Sequence, residues 1–106
     1  MPNGGDKNFV RLCAALDGFR QRHGRWPARV VAYPASLEDL RQHVLGRAAY
    51  DAVTGKVALI QGDAGFRAED DGGNIYDYGQ EGFPEARPNP SAEEWLGVHP
   101  RRDLGY

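Results

Sequence analysis

Two stretches of the 106-residue chain concentrate the side chains that could do chemistry. The run Arg20-Gln21-Arg22-His23-Gly24-Arg25-Trp26-Pro27-Ala28-Arg29 sets Arg20, Arg22, Arg25 and Arg29 around Trp26. Guanidinium forks pair with phosphates and an indole stacks on a base, so this is the chemistry of a nucleic-acid contact. The same residues also describe a helix end whose cations offset the negative carbonyl pole while Trp26 folds inward. A pI near 5.9 lacks the global basic character of a dedicated nucleic-acid binder. The second stretch places Glu69, Asp70, Asp71 and Asp77 around Gly72-Gly73-Asn74. Carboxylates and an amide beside glycines are ligands for a hard cation such as calcium. The spacing departs from an EF-hand loop, and a plain Asp/Gly hairpin turn accounts for the same letters, because these residues tolerate positive φ. No metal and no cofactor are expected.

Catalytic groupings are sparse. His23, His43 and His99 are far apart in sequence, and there is no nucleophile elbow and no phosphate-binding glycine loop. Cys13 lies on an apolar helical stripe, where a thiol acts as a small hydrophobe before it acts as a nucleophile. No catalytic residue is assigned, although folding can assemble distant groups. Aromatic side chains carry a different signal: Tyr33, Tyr50, Tyr76, Tyr78, Trp26, Trp95 and Tyr106 exceed what a small core needs with polar atoms attached. Interfaces favour such large, stiff, half-polar groups, and Tyr76, Tyr78 and Trp95 are the candidates.

The elements that must position these residues follow from periodicity. Phe9, Leu12, Cys13, Leu16 and Phe19 form one apolar stripe, which predicts a helix over about 7–23, capped by Asp6 or Asn8 and closed by Gly24, with Gly18 as a mild weakness. Arg29 to Tyr33 lies between Pro27 and Pro34 and reads as a brief edge strand. Ser36 is placed to cap a second helix that buries Leu37, Leu40, Val44 and Leu45. Gly46 interrupts it, and Arg47 to Thr54 reads as a further helical piece closed by Gly55. Val57 to Gln61, the run from Phe66 and Ile75 to Tyr78 then read as a three-stranded meander, with turns at Gly62-Asp63-Ala64-Gly65 and Asp70-Asp71-Gly72-Gly73. Two arrangements remain open: a parallel pairing of the Val31 strand with Val57–Gln61 through a helical crossover, or a helical half packed on an isolated meander.

From Gly79 the chain turns to glycine, proline and polar residues. One exception is Ser91-Ala92-Glu93-Glu94, a capping box directly ahead of Trp95 and Leu96. The expected domain is single, spanning 1–106, with residues 1–6 flexible, a Gly/Pro-rich tail over 79–106 docked by Trp95 with Phe83 as a second anchor, and residues 100–106 frayed. The expected fold is α+β: two to three helices on one face of a small, mostly antiparallel sheet of three to four strands.

Apolar content of 41% fits a folded globule, and no run approaches a bilayer span. The opening residues lack a signal-peptide pattern, so a cytosolic location with no membrane partner is expected. The net charge of −2 hides an asymmetry. Residues 1–60 hold nine basic against five acidic residues, and residues 61–94 hold two against nine. Such polarity steers a charged partner toward one side.

The hairpin Ala68-Glu69-Asp70-Asp71-Gly72-Gly73-Asn74-Ile75-Tyr76-Asp77-Tyr78 resembles one found in the SUKH family of bacterial immunity proteins, over about a tenth of the chain. That resemblance implies an immunity-type inhibitor and assigns no site residue. Three functional expectations result. The first is a non-enzymatic module binding a protein partner through Glu69, Asp70, Asp71, Tyr76, Asp77 and Tyr78. The second is nucleic-acid contact through Arg20, Arg22, Arg25, Trp26 and Arg29. The third is the bacterial immunity-type inhibitor. Neither partner nor oligomeric state is named by the residues themselves.

Overall fold

A computed structural model describes residues 6–100. Helix α1 (Lys7–His23) leads into strand β1 (Arg29–Ala32). Then come α2 (Pro34–Asp39), a π-helical turn (Leu40–Val44) and α3 (Arg47–Thr54). Strands β2 (Ala58–Gln61), β3 (Gly65–Glu69) and β4 (Ile75–Asp77) follow, and the short helices α4 (Tyr78–Glu81) and α5 (Ala92–Leu96) complete the fold. Among the described residues no helix is long and apolar enough to cross a membrane.

The predicted apolar stripe of α1 is buried along its length at Phe9, Leu12, Leu16 and Phe19, and Gly24 ends the helix at φ 79° as a left-handed cap. Asp6 holds the N-cap position without a side-chain cap bond. Asn8 does not cap: its Nδ2 donates instead to Asp39 Oδ2 at 2.8 Å, tying α1 to α2. Gly18 is a contact point. A methyl group at that position would lie 2.5 Å from the ring of Tyr76, so glycine lets the strand's tyrosine rest on the helix.

The sheet order is β2-β1-β3-β4, with β1 parallel to β2 and antiparallel to β3, and β3 antiparallel to β4. This corrects two expectations. Arg29 to Tyr33 supplies an inner strand rather than an edge, because Pro27 and Pro34 both fall outside the ladder and remove no hydrogen bond from it. The meander is also broken: β1 inserts between β2 and β3, so residues 62–64 link strands that are not neighbours, and only β3–β4 is a hairpin. The crossover through α2 and α3 imposes this arrangement by returning the chain parallel to β1.

The second helix begins two residues earlier than Ser36. The ring of Pro34 presets a helical φ at the first position, where a missing N–H costs nothing, and Tyr33 O accepts from Ser36 N and Leu37 N. After Asp39 the turn widens, so that Leu45 N donates to Leu40 O at 2.9 Å, and Leu37, Leu40, Val44 and Leu45 all reach the core. Gly46, at φ 83°, separates this piece from α3.

Helix α1 packs on β1, β3 and β4. Its apolar residues meet Val30, Ala32, Phe66, Ala68 and Tyr76 from one face of the sheet. Burying side chains such as Phe19 and Phe66 stabilises the fold by about 1.5–3 kcal/mol each. A bulge between Val31 and Ala32 on the β1–β3 ladder lets Phe66, at φ 70°, turn into this core.

The tail is docked by α5, whose capping box joins Ser91 and Glu94 reciprocally. Ala92, Leu96 and Val98 are buried, and Trp95 stacks on Trp26 at 4.4 Å with 6° between the rings. Phe83 is not an anchor: it is 63% exposed and touches Tyr78 edge-on at 5.2 Å. The expected fraying of the last residues and flexibility of the first lie, apart from Asp6 and Pro100, outside the described residues.

Candidate functional site: the open sheet face and its hairpin

Side chains directly opposite one another on neighbouring strands share a face, so the ladders define what the second face carries. One row runs Ala58, Arg29, Glu69, Ile75; the next runs Ile60, Val31, Arg67, Asp77. Of these only Val31 is buried, and it stands apart from the main core cluster. Ile60 and Ile75 remain 44% exposed at opposite edges of the face, and Tyr33, just past β1, is 47% exposed. Apolar groups thus rim a charged centre.

That centre is an ordered lattice. Arg29 Nη2 donates to Asp71 Oδ1 at 2.7 Å, and its Nε lies 3.5 Å from Glu69 Oε1. Arg67 Nε donates to the other Glu69 oxygen at 2.6 Å, so one carboxylate is held between two guanidiniums. Asp71 reaches outward at the turn, its side chain 89% exposed. Asp77 lies beside Arg67 in the register, with Oδ1 buried and no hydrogen-bond partner among the described residues.

The turn itself is built on Asp70. Its carboxylate accepts from Asn74 Nδ2 at 3.0 Å and from the backbone N–H groups of Asn74 and Gly72, and Arg25 donates to it as well. These bonds, the Asn74 side chain foremost, hold its carboxyl well below the usual carboxylate range. Gly73, at φ 87°, supplies the left-handed residue that closes the turn. Asp70 therefore shapes the hairpin while Asp71 presents charge.

The two stretches singled out in sequence meet here. Arg22 pairs with Glu81, Arg25 with Asp70, and Arg29 with Asp71 and Glu69. Arg20 donates to Gly24 O, and its guanidinium lies 5.6 Å from the Trp26 ring. Trp26 is half-buried against Trp95. The hydrogen bond from Arg22 lowers the Glu81 carboxyl below its ordinary value.

The proposed aromatic contacts separate. Tyr76 belongs to the covered face, 5% exposed, with its hydroxyl donating to Gly82 O at 2.7 Å and Arg22 stacked over its ring, so it offers no contact surface. Tyr78 is half-buried at the start of α4. Ile60, Ile75, Tyr33 and Arg67 were not legible as site residues. Their alternation along β2, β3 and β4 is the available signal, but it identifies a face only once the strand order is known.

Each histidine has its own partner: His23 the carbonyl of Ile75, His43 Asp39, and His99 Glu93. Cys13 is half-buried, and burial raises its thiol pKa, which suppresses the thiolate. Among the described residues no group of three or more His, Cys, Asp or Glu side chains is gathered for a metal. No protein-family model, no curated protein and no solved structure matches the chain.

Proposed function

We propose that this protein is a non-enzymatic binding module that takes a protein partner across the open face of its sheet and the tip of the β3–β4 hairpin. The carrying observation is the bare face itself, with exposed Ile60, Tyr33 and Ile75 around fixed guanidinium and carboxylate groups. Apolar contact area supplies affinity in such an arrangement, and prepaired charges supply orientation with little further loss of side-chain entropy. Engagement of Arg22, Arg25 and Arg29 by the chain's own carboxylates favours this reading over a nucleic-acid one, because a phosphate would first have to displace them. A cytosolic setting and an inhibitor-type partner, as in bacterial immunity proteins, are compatible with the proposal.

Capture from the source cell's lysate, with and without nuclease, tests it through variants chosen from the geometry. Ile60→Asp, Ile75→Asp and Asp71→Lys should each reduce recovery of the same nuclease-resistant partner by about tenfold or more, as loss of a central interface contact does. Phe83→Ala, on another surface, should leave recovery unchanged. Equal recovery with all four variants, or a catch that disappears with nuclease, would sink the proposal. Asp70 is unsuitable for this purpose, since its loss would disturb the turn that presents Asp71.

A further inference from the structure

The two edge strands of the sheet, β2 and β4, are finished differently. On β4 the chain's own side chains take up the outward backbone groups: Ile75 O lies 3.2 Å from His23 Nε2 and 3.4 Å from Arg22 Nη1, and Asp77 N donates to Glu81 Oε2 at 3.2 Å. On β2 no side chain among the described residues plays that part. Ala58 N donates to Ala28 O and Gly62 N to Ala32 O, so in the parallel ladder Ala58, Ile60 and Gly62 turn their peptide groups toward β1, while Leu59 and Gln61 turn theirs away from it. Gln61 is exposed although its partner in the register, Ala32, is fully buried, which marks the edge as uncovered. Natural edge strands are blunted by charge, proline or a bulge, and Ala58-Leu59-Ile60-Gln61 carries none of these.

From this open edge we infer that β2 pairs with β2 of a second copy of this chain, antiparallel and about a two-fold axis at Ile60. The outward peptide groups set the register. Leu59 of one copy meets Gln61 of the other, each such pair exchanging both of its hydrogen bonds, and Ile60 falls opposite its own counterpart at about 4.5 Å between Cα atoms. That contact covers an isoleucine that is 44% exposed in the single chain. Ala58 and Gly62, two positions to either side of Ile60, are small enough to lie opposite one another across the same axis. Charge is complementary as well, because the antiparallel register brings the Lys56 end of one strand to the Asp63 end of the other. Asp63 is exposed and pairs with no cation among the described residues; Lys56 Nζ donates to Trp95 O at 2.6 Å and keeps two further N–H donors. With β4 already occupied, assembly closes at the dimer and does not run on into a fibre. This pairing concerns the edge of the sheet and does not rest on the docking reading of its face.

Sedimentation equilibrium of the purified whole protein, from micromolar to millimolar concentration, tests the inference together with amide hydrogen exchange at both ends of that range. The expected result is a monomer–dimer equilibrium with a dissociation constant of about 100 µM, as suits an interface at the small end of the size range. Exchange at Leu59 N and Gln61 N should slow as the dimer fills, while Asp77 N on the other edge stays unchanged. Gln61→Pro removes one outward N–H per copy and no bond to β1, so it should leave the fold intact and weaken the dimer about tenfold or more. Should that variant fail to fold, Ile60→Lys carries the test, since it sets like charges opposite each other across the axis and should weaken the dimer by a similar factor. Gln61→Pro leaves Ile60, Ile75 and Asp71 in place, so the dimer can fail without the docking face failing. A protein monomeric at every concentration, growth beyond the dimer, or a dimer of full strength in both folded variants would overturn the pairing. So would slowed exchange at Leu59 and Gln61 that appears only when a different protein is added.

Discussion

Gly18 faces the ring of Tyr76 so closely that a single methyl group would come within 2.5 Å of it, and no freedom remains for the tyrosine, whose hydroxyl is tied to Gly82. Gly18→Ala should therefore destabilise the protein by about 1–2 kcal/mol, since overpacking outweighs the gain in helix propensity. In thermal unfolding this is a fall of about 4–8 °C for each kcal/mol, whereas a rise in Tm would contradict the packing described. Sequence reading ranks Gly18 as a weakness because propensity is a property of α1 alone, and the partner that justifies the glycine lies 58 positions away. The same blindness applies to Tyr76. Its composition suggested an interface, but the alternation of β4 turns it into the core and turns Ile75 out.

At the scale of elements, α1 and the α5 capping box were legible because their signals are local: an apolar period of 3.6 in one, reciprocal side-chain caps in the other. The central place of β1 was not, since pairing depends on the path of the intervening helices rather than on Arg29-Val30-Val31-Ala32 itself. Acid should loosen particular elements first. Asp70, Glu81 and Glu94 are all held below their ordinary values by hydrogen bonds in the native state, so each contributes stability above about pH 4 that is lost as pH falls toward its folded value. Asp17 has the opposite sign. Its raised pKa favours the folded state below the unfolded value and loses that contribution as pH rises toward the folded one. Hydrogen exchange between pH 6 and pH 3, corrected for intrinsic rates, should show protection falling earliest in the β3–β4 hairpin and the first turn of α5, with central β1 last; uniform loss would contradict this.

For the whole molecule, the charge asymmetry between the two halves of the sequence becomes internal complementarity. The basic end of α1 and the start of β1 lie against the acidic hairpin and α4, and Arg22, Arg25 and Arg29 bridge them. Each exposed pair of the Arg22–Glu81 kind contributes only about 0.2–1 kcal/mol, so the arrangement sets orientation more than stability. What remains outward is the half-apolar sheet face with Asp71 at its corner, and the proposed docking surface depends on the seam that holds the hairpin in place. Titrating the Asp70 carboxyl by carbon-detected NMR, in the native protein and in Arg25→Gln, tests that seam most directly. The native group should stay ionised well below the usual aspartate value of about 3.9, and Arg25→Gln should raise its pKa part of the way, with the Asn74 bonds retaining the rest. An ordinary aspartate titration, unmoved by Arg25→Gln, would mean that the acidic hairpin and the arginine run do not meet.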